Sequence, residues 1–232
     1  MSENRLSEFE SIIGYRFKNR NLLKNALTHS SYANERHWQY ASNNERLEFL
    51  GDAVLELVSS EYIYKSHTNM VEGKMTKMRA SLVCEMSLAL AAREIRLGEF
   101  LFLGKGERNT GGAHRDSILS DAFEAVIGAM YLDGGIETAG EFIYRYVLSD
   151  VEKKQLFYDS KTILQEIIQS TFRDDTDIHY PIIKESGPDH AKEFEVCCCI
   201  NGKNYANGIG RTKKAAEQKA AYETILLLRQ EK

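Results

Sequence analysis

A predominantly helical domain followed by a smaller α+β domain is the architecture that this 232-residue sequence predicts. Three features carry the expectation. Only two prolines occur, Pro181 and Pro188, so residues 1–150 lack the commonest helix breaker. Apolar residues recur through that part with helical spacing. Beyond residue 160 the texture switches to short alternating runs between two helical segments.

Helical periodicity covers 20–30, 44–65, 75–97, 117–132 and 136–150, and Gly- or Asn-containing breaks separate these stretches. Residues 1–150 are therefore expected to form one all-α domain. The charged, aperiodic stretch 151–159 is read as a linker. In 160–232, KTILQEIIQS (161–170) has the pattern of a short helix, while DIHYPIIKE (177–185) and KEFEVCCCI (192–200) alternate as strands. NYANGIG forms a third strand, ended by Gly208 and Gly210, and the Ala-rich segment 212–230 is a second helix. The order α-β-β-β-α predicts two helices on one face of a three-stranded antiparallel sheet.

Composition removes several classes. With 43% hydrophobic and 28% charged residues the chain reads as soluble and globular, and no apolar run approaches the roughly 20 residues of a membrane span. The charged start MSENRLSEFE does not resemble a signal peptide, so a cytoplasmic protein is expected. Four cysteines without CxxC spacing indicate neither a disulfide framework nor a thiolate metal site. Cys197 and Cys199 would share one strand face as small apolar groups. The net charge of −4 disfavours a nucleic-acid partner only at first sight: residues 1–159 hold 19 basic and 23 acidic side chains, whereas 160–232 hold 11 of each.

The acids of the helical part are not scattered. Within SNNERLEFLGDAVLELVSS, Glu45, Glu48, Asp52 and Glu56 fall within about 80° on a helical projection, opposite Leu47, Leu50, Val54, Leu57 and Val58. No Lys or Arg stands three or four residues from any of them, so their repulsion is unrelieved within the helix. Phe49 projects onto the acid side, where a merely solvated face would not place an aromatic ring. Glu45 has a simpler reading as well, since Ser42 and Glu45 are spaced as a capping box. A second helix, DSILSDAFEAVIGAMYLDGG, repeats the design with Asp121 and Glu124 one turn apart, Ser117 and Gly128 on the same face and Leu119, Phe123, Val126 and Met130 opposite. Gly in mid-helix costs about 1 kcal/mol relative to Ala, which points to close approach of another backbone, a ligand or a metal shell at Gly128. Two acidic faces pack together only around cations. Oxygen ligands without His or Cys select Mg²⁺, with Mn²⁺ as a substitute, and such clusters support phosphoryl chemistry. All-α nucleotide pyrophosphohydrolases use similar acid pairs and remain a competing reading at this point.

The string NERLEFLGD (44–52) resembles the signature of the ribonuclease III family. NALTHSSY (25–32), EGKMTKMRASLV from Glu72, LGKGERNTGG (103–112) and DSILSDAFEAVIGAMYLD are similar to further family segments, and TILQEIIQ, GPDH and TKKAAEQKAA resemble its double-stranded-RNA-binding domain. The resemblance spans essentially the whole chain. It implies that Glu48, Asp121 and Glu124 hold Mg²⁺ with Asp52 close by, that Asp52 and Glu124 are catalytically necessary, and that Glu45 and Glu72 line the cleavage valley. It also implies a homodimer in which Phe49 docks into a second subunit. The implied reaction is hydrolysis of double-stranded RNA by water, leaving 5′-phosphate and 3′-hydroxyl ends with two-nucleotide 3′ overhangs. Ribosomal RNA precursors and other structured RNAs would be its substrates. A non-catalytic double-stranded-RNA-binding protein is the other alternative.

For RNA binding, Thr212 has the chemistry of a helix N-cap, with Lys213 and Lys214 in the first turn and Arg211 just before. Cations there oppose the helix dipole unless an anion binds, which suits phosphate. Lys219 extends the patch or is a plain surface residue. Thr162, Gln165, Glu166 and Gln169 form a polar stripe suited to the 2′-hydroxyls and base edges of a minor groove. The resemblance assigns Pro188, Asp189 and His190 to a loop that enters the next minor groove, and the three elements together would span about 16 base pairs. The stretch Gly104–Gly112 lacks the P-loop pattern and is read as a helix connection, with Lys105 and Arg115 as possible RNA contacts.

Overall fold

The computed structural model describes residues 3–38, 42–149, 160–171, 177–186, 192–210 and 212–230. The chain divides into two compact units, Met1–Val151 and Glu152–Lys232. The expected linker 151–159, the loop residues Pro188, Asp189 and His190, and Arg211 lie outside the described residues.

The first unit is helical: α1 (Glu3–Ile13), α2 (Arg20–Ala26), α3 (Ser30–Glu35), α4 (Glu45–Ser66), α5 (Glu72–Leu82), α6 (Glu85–Glu94), α7 (Leu97–Phe100), α8 (Lys105–Asn109), a 3-10 turn (Gly112–His114) and α9 (Asp116–Tyr146). α9 is its spine. Residues Ala125 to Met130 are all buried, and a helix that is apolar almost all round belongs in a core. Gly135, at φ 81° and ψ −177°, kinks α9 where the sequence predicts a break. α2, α4 and α6 pack on α9, and Phe9 of α1, Leu23 of α2, Leu55 and Ile63 of α4, Leu82 of α5 and Leu88 of α6 share its core, all essentially without exposure.

Several helix boundaries differ from expectation. The predicted helix 20–30 is two, because Thr28 leaves the helical path to bridge Phe102: the Phe102 amide donates to Leu27 O and the His29 amide to Phe102 O. The predicted helix 75–97 breaks at Val83 and at Cys84, which is extended at ψ 156° and donates its thiol to Ser81 O. No Gly or Pro marks that break, so periodicity alone runs across it. α1 was not anticipated. Leu57, expected in the core, is 61% exposed, and Leu55 takes the buried position. The capping box does not form: α4 starts at Glu45, its amide donates to Asn43 Oδ1 at 3.3 Å, and Asn44 makes no side-chain cap.

The second unit has α10 (Ser160–Thr171), β1 (Ile178–His179), β2 (Ile182–Ser186), β3 (Glu193–Ile200), β4 (Lys203–Gly210) and α11 (Lys213–Gln230). Its antiparallel sheet has four strands, not three. β1 and β2 are one predicted strand interrupted at Tyr180 and Pro181. Both lie along the same edge of β3, with Ile178 opposite Ile200 and Ile182 opposite Val196. Pro181 has no N–H for the ladder but its carbonyl still accepts from the Cys197 amide, which a sheet edge tolerates. β3 and β4 join through Asn201 and Gly202, both at positive φ, the type I′ geometry that Asn-Gly favours. β4 runs through Gly208 rather than ending there. A Cβ at Gly208 would lie 2.2 Å from Ala216 O, so the glycine lets α11 settle on the strand. Val196, Cys198 and Ile200 of β3 meet Leu164, Ile168, Ala216, Ala220 and Ile225 in the small core. Cys197 and Cys199, on the other face of β3, are also buried.

Candidate active site and nucleic-acid interface

Two glycines build the acid cluster. α4 and α9 cross so closely that a Cβ at Gly51 would lie 1.8 Å from Glu124 O, and one at Gly128 would lie 2.2 Å from Leu47 O. The mid-helix Gly128 thus serves backbone approach. The contact brings one carboxylate oxygen from each of Glu48, Asp121 and Glu124 within 4.8 Å of one another. All three side chains are half-buried, and Asp121 and Glu124 flank the buried apolar residues Ala122, Phe123, Ala125 and Val126 of α9.

Electrostatics follows from that placement. Burial, then the charges of Asp121, Glu45 and Asp52, push Glu48 up to about 7. Burial, then Asp52, Glu48, Asp121 and Glu56, push Glu124 up to about 8. Burial also raises Asp121, against a hydrogen bond from Ser120 and the neighbouring His29. Among the described residues no ion pair relieves Glu48, Asp52, Asp121 or Glu124. Glu56 does find a cation, Arg79 of α5 at 2.6 Å, while its charge still reaches Glu124. Four acids with no basic partner among the described residues, offering only oxygen ligands and including two glutamates pushed up to about 7 and 8, form a donor set that suits a divalent cation.

The other predicted residues are placed as follows. Asp52 is exposed at the margin, close enough for its charge to act on Glu48 and Glu124. Glu45 is exposed at the start of α4, and its charge reaches Glu48. Glu72 is not brought to the cluster within the protomer: it accepts from Thr76 Oγ1 at 2.9 Å and borders a separate cavity of about 470 Å³ with Leu57, Tyr64, Met75 and Arg79. Phe49 is 80% exposed. Arg115 pairs with Glu107 at 2.7 Å, and Lys105 is exposed. The sequence reading missed Arg79 and His29. His29 lies within one of the quoted motifs, but its place beside Asp121 depends on the Thr28 to Phe102 bridge, which no periodicity signals.

In the second unit, Thr162, Gln165, Glu166 and Gln169 are all exposed on α10, while Leu164 and Ile168 are buried. Thr212 caps α11 as expected, its Oγ1 accepting from the Ala215 amide at 3.1 Å. Lys213 and Lys214 are exposed on the first turn, and Lys213 Nζ lies 5.6 Å from the Phe194 ring centroid and 3.9 Å from Glu185. Lys219 pairs with Glu223 one turn on, as a surface lysine does.

Comparisons with known proteins agree with this division. Residues 19–151 match the family model described as Ribonuclease-III-like, and residues 160–228 match the double-stranded RNA binding motif. The chain is 50% identical over 218 residues to Ribonuclease 3 of Oceanobacillus iheyensis, covering 93% of this chain and 95% of that one. It is 47% identical over 225 residues to Ribonuclease 3 of Listeria monocytogenes, covering 96% and 97%. Among solved structures, the nuclease domain of ribonuclease III from Campylobacter jejuni aligns with a TM-score of 0.57 at 44% identity, over 61% of this chain and 95% of that domain. No described helix is long and apolar enough to cross a membrane. The two family models match the helical unit and the α+β unit in turn, the full-length relatives align along nearly their whole length, and the chain belongs to the ribonuclease III family.

Proposed function

We propose that this chain is an endoribonuclease that hydrolyses phosphodiester bonds in double-stranded RNA, using Mg²⁺ held by Glu48, Asp121 and Glu124. The observation that carries the reading is the convergence of those three carboxylates on two helices locked together by Gly51 and Gly128. Mn²⁺ would serve in the same oxygen set. When bound, the cation supplies an activated water and neutralises the charge that develops on the phosphate. Asp52, exposed at the margin, orients the attacking water, and Glu45 extends the acidic wall along the strand.

The second domain holds the duplex. The exposed stripe Thr162, Gln165, Glu166 and Gln169 faces a minor groove, and the first turn of α11, with Thr212, Lys213 and Lys214, receives phosphate. Pro188, Asp189, His190 and Arg211 complete that grip by resemblance alone. Cleavage of both strands requires two sites, which a homodimer supplies. The exposed Phe49, with the cavity bordered by Leu57, Tyr64 and Met75, provides two halves of an apolar contact between copies. Glu72, at the edge of that cavity, would then reach the cleavage valley of the assembled dimer rather than that of its own protomer. Free cysteines suit work in a reducing cytoplasm, on ribosomal RNA precursors and other structured transcripts.

The test is incubation of a long RNA duplex with the purified protein, with and without Mg²⁺, beside Glu124→Gln. Metal-dependent conversion to short duplexes with 5′-phosphates, lost in the variant, is expected. Duplex that is bound but stays intact points to a non-catalytic RNA-binding protein, and hydrolysis of free nucleotides with duplex ignored points to a pyrophosphohydrolase.

A further inference from the structure

His29 is the polar side chain beside the acid cluster that the proposed reaction leaves unused. It precedes α3 as its N-cap, and its Nδ1 accepts from the Ser31 amide at 3.3 Å. The same nitrogen lies 2.8 Å from Ser31 Oγ. Ser31 Oγ in turn accepts from the Gly104 amide at 2.9 Å, so its one hydroxyl proton is free to go to Nδ1. An Nδ1 that accepts the Ser31 amide carries no proton, and the ring proton of the neutral imidazole then sits on Nε2. Burial keeps the imidazole below its ordinary pKa in spite of Glu107, Asp121 and Glu45, so the ring is a neutral donor at neutral pH.

That donor has no partner among the described residues, although the ring is half-buried. The groups whose charges reach it are Glu107, Asp121, Glu45 and the cation Arg115, which is half-exposed and paired with Glu107. Asp121 is already part of the carboxylate triad, and Glu107 is held by Arg115. The rim beside the triad thus presents one unused N–H and one guanidinium, a pair that fits an anionic oxygen arriving from solvent.

We propose that His29 is a substrate-contacting residue whose Nε2–H donates to a non-bridging oxygen of the phosphodiester adjoining the one that is cut, with Arg115 near enough to share its charge. The inference rests on the reading of the triad as the cleavage site. The hydrogen-bond chain from Gly104 through Ser31 fixes the ring in the donating tautomer, so the contact is preorganised.

Two substitutions separate this contact from the capping role. His29→Asn keeps an acceptor near the Nδ1 position and removes the Nε2 donor. His29→Gln places an amide N–H near the Nε2 position and removes the cap. Single-turnover cleavage of a duplex and the melting temperature are measured for both. His29→Asn is expected to melt close to the parent yet cleave about tenfold to hundredfold more slowly, the loss of one hydrogen bond to a charged group. His29→Gln is expected to melt lower yet cleave faster than His29→Asn. Cleavage by His29→Asn within about twofold of the parent, or rates that simply follow melting temperature, overturns the proposal. A second arm uses ¹⁵N-imidazole NMR in the Glu124→Gln form: saturating duplex RNA should move the Nε2 resonance of His29, and an unmoved resonance overturns the contact. A parent that binds duplex without cutting it sinks the cleavage reading, and the Nε2 resonance then decides the contact by itself.

Discussion

At the scale of single residues, the chemistry is set by where carboxylates lose water. Glu48 at about 7 and Glu124 at about 8 hold protons that an ordinary glutamate would have released. A cation entering the triad must displace them. Calorimetry in buffers of different ionisation enthalpy should therefore show net proton release on Mg²⁺ or Mn²⁺ binding near pH 7, falling toward zero above both pKa values. The same shifts link pH to stability. Between the ordinary glutamate pKa and about 8 the folded, metal-free protein binds more protons than the unfolded chain, so its stability falls as pH rises through that window. Removal of metal by a chelator should consequently lower the melting temperature more at pH 8.5 than at pH 6. Glu124→Gln removes one of the repelling charges, and the metal-free variant is expected to melt above the parent at pH 8.5 while losing cleavage. A variant that melts lower at both pH values would contradict the account of the cluster as a strained acid set.

At the scale of elements, the site exists because two helices touch backbone to backbone. A methyl at Gly51 or Gly128 has no space against Glu124 O or Leu47 O. Gly51→Ala and Gly128→Ala should each cost about 3 kcal/mol or more by overpacking and should remove metal binding along with cleavage, read by denaturant unfolding and metal titration. The acid stripes of α4 and α9 were legible in the sequence through helical phase, and so was the oddity of Gly128. Its meaning needed the partner helix, because only the crossing shows that Gly51, also a mid-helix glycine, is what it meets. The break at Thr28 was illegible because a long-range backbone bridge to Phe102 imposes it, and the break at Cys84 because no Gly or Pro marks it and only a local bond to Ser81 O accompanies it. In the second unit the Asn201-Gly202 hairpin and the cap at Thr212 follow local chemistry that a sequence displays, whereas the division of one edge strand by Pro181 shows only in the ladder. Lys213→Ala combined with Lys214→Ala should weaken duplex binding and reduce the slope of log affinity against log salt by about 2, and an unchanged slope would remove these lysines from the phosphate contact.

At the scale of the whole molecule, the net charge of −4 is a poor guide to a nucleic-acid enzyme. The acidic excess belongs to residues 1–159, which contain the carboxylates that a divalent cation would neutralise, while the charge-balanced remainder places Lys213 and Lys214 together on one helix turn. Phe49, 80% exposed on the protomer, is the side chain that the proposed dimer would cover. Phe49→Asp should shift sedimentation toward monomer and lower cleavage without loss of helical content, and an unchanged dimer would remove Phe49 from the interface. In the proposed reaction the triad Glu48, Asp121 and Glu124 would hold the divalent cation with which bound duplex RNA is cut. The most direct test is end analysis of a long RNA duplex treated with the parent and Glu124→Gln in Mg²⁺. Short products with 5′-phosphate and 3′-hydroxyl ends are expected from the parent and intact, bound duplex from the variant; intact duplex from the parent, or equal cutting by both, would rule out the triad as the cleavage site.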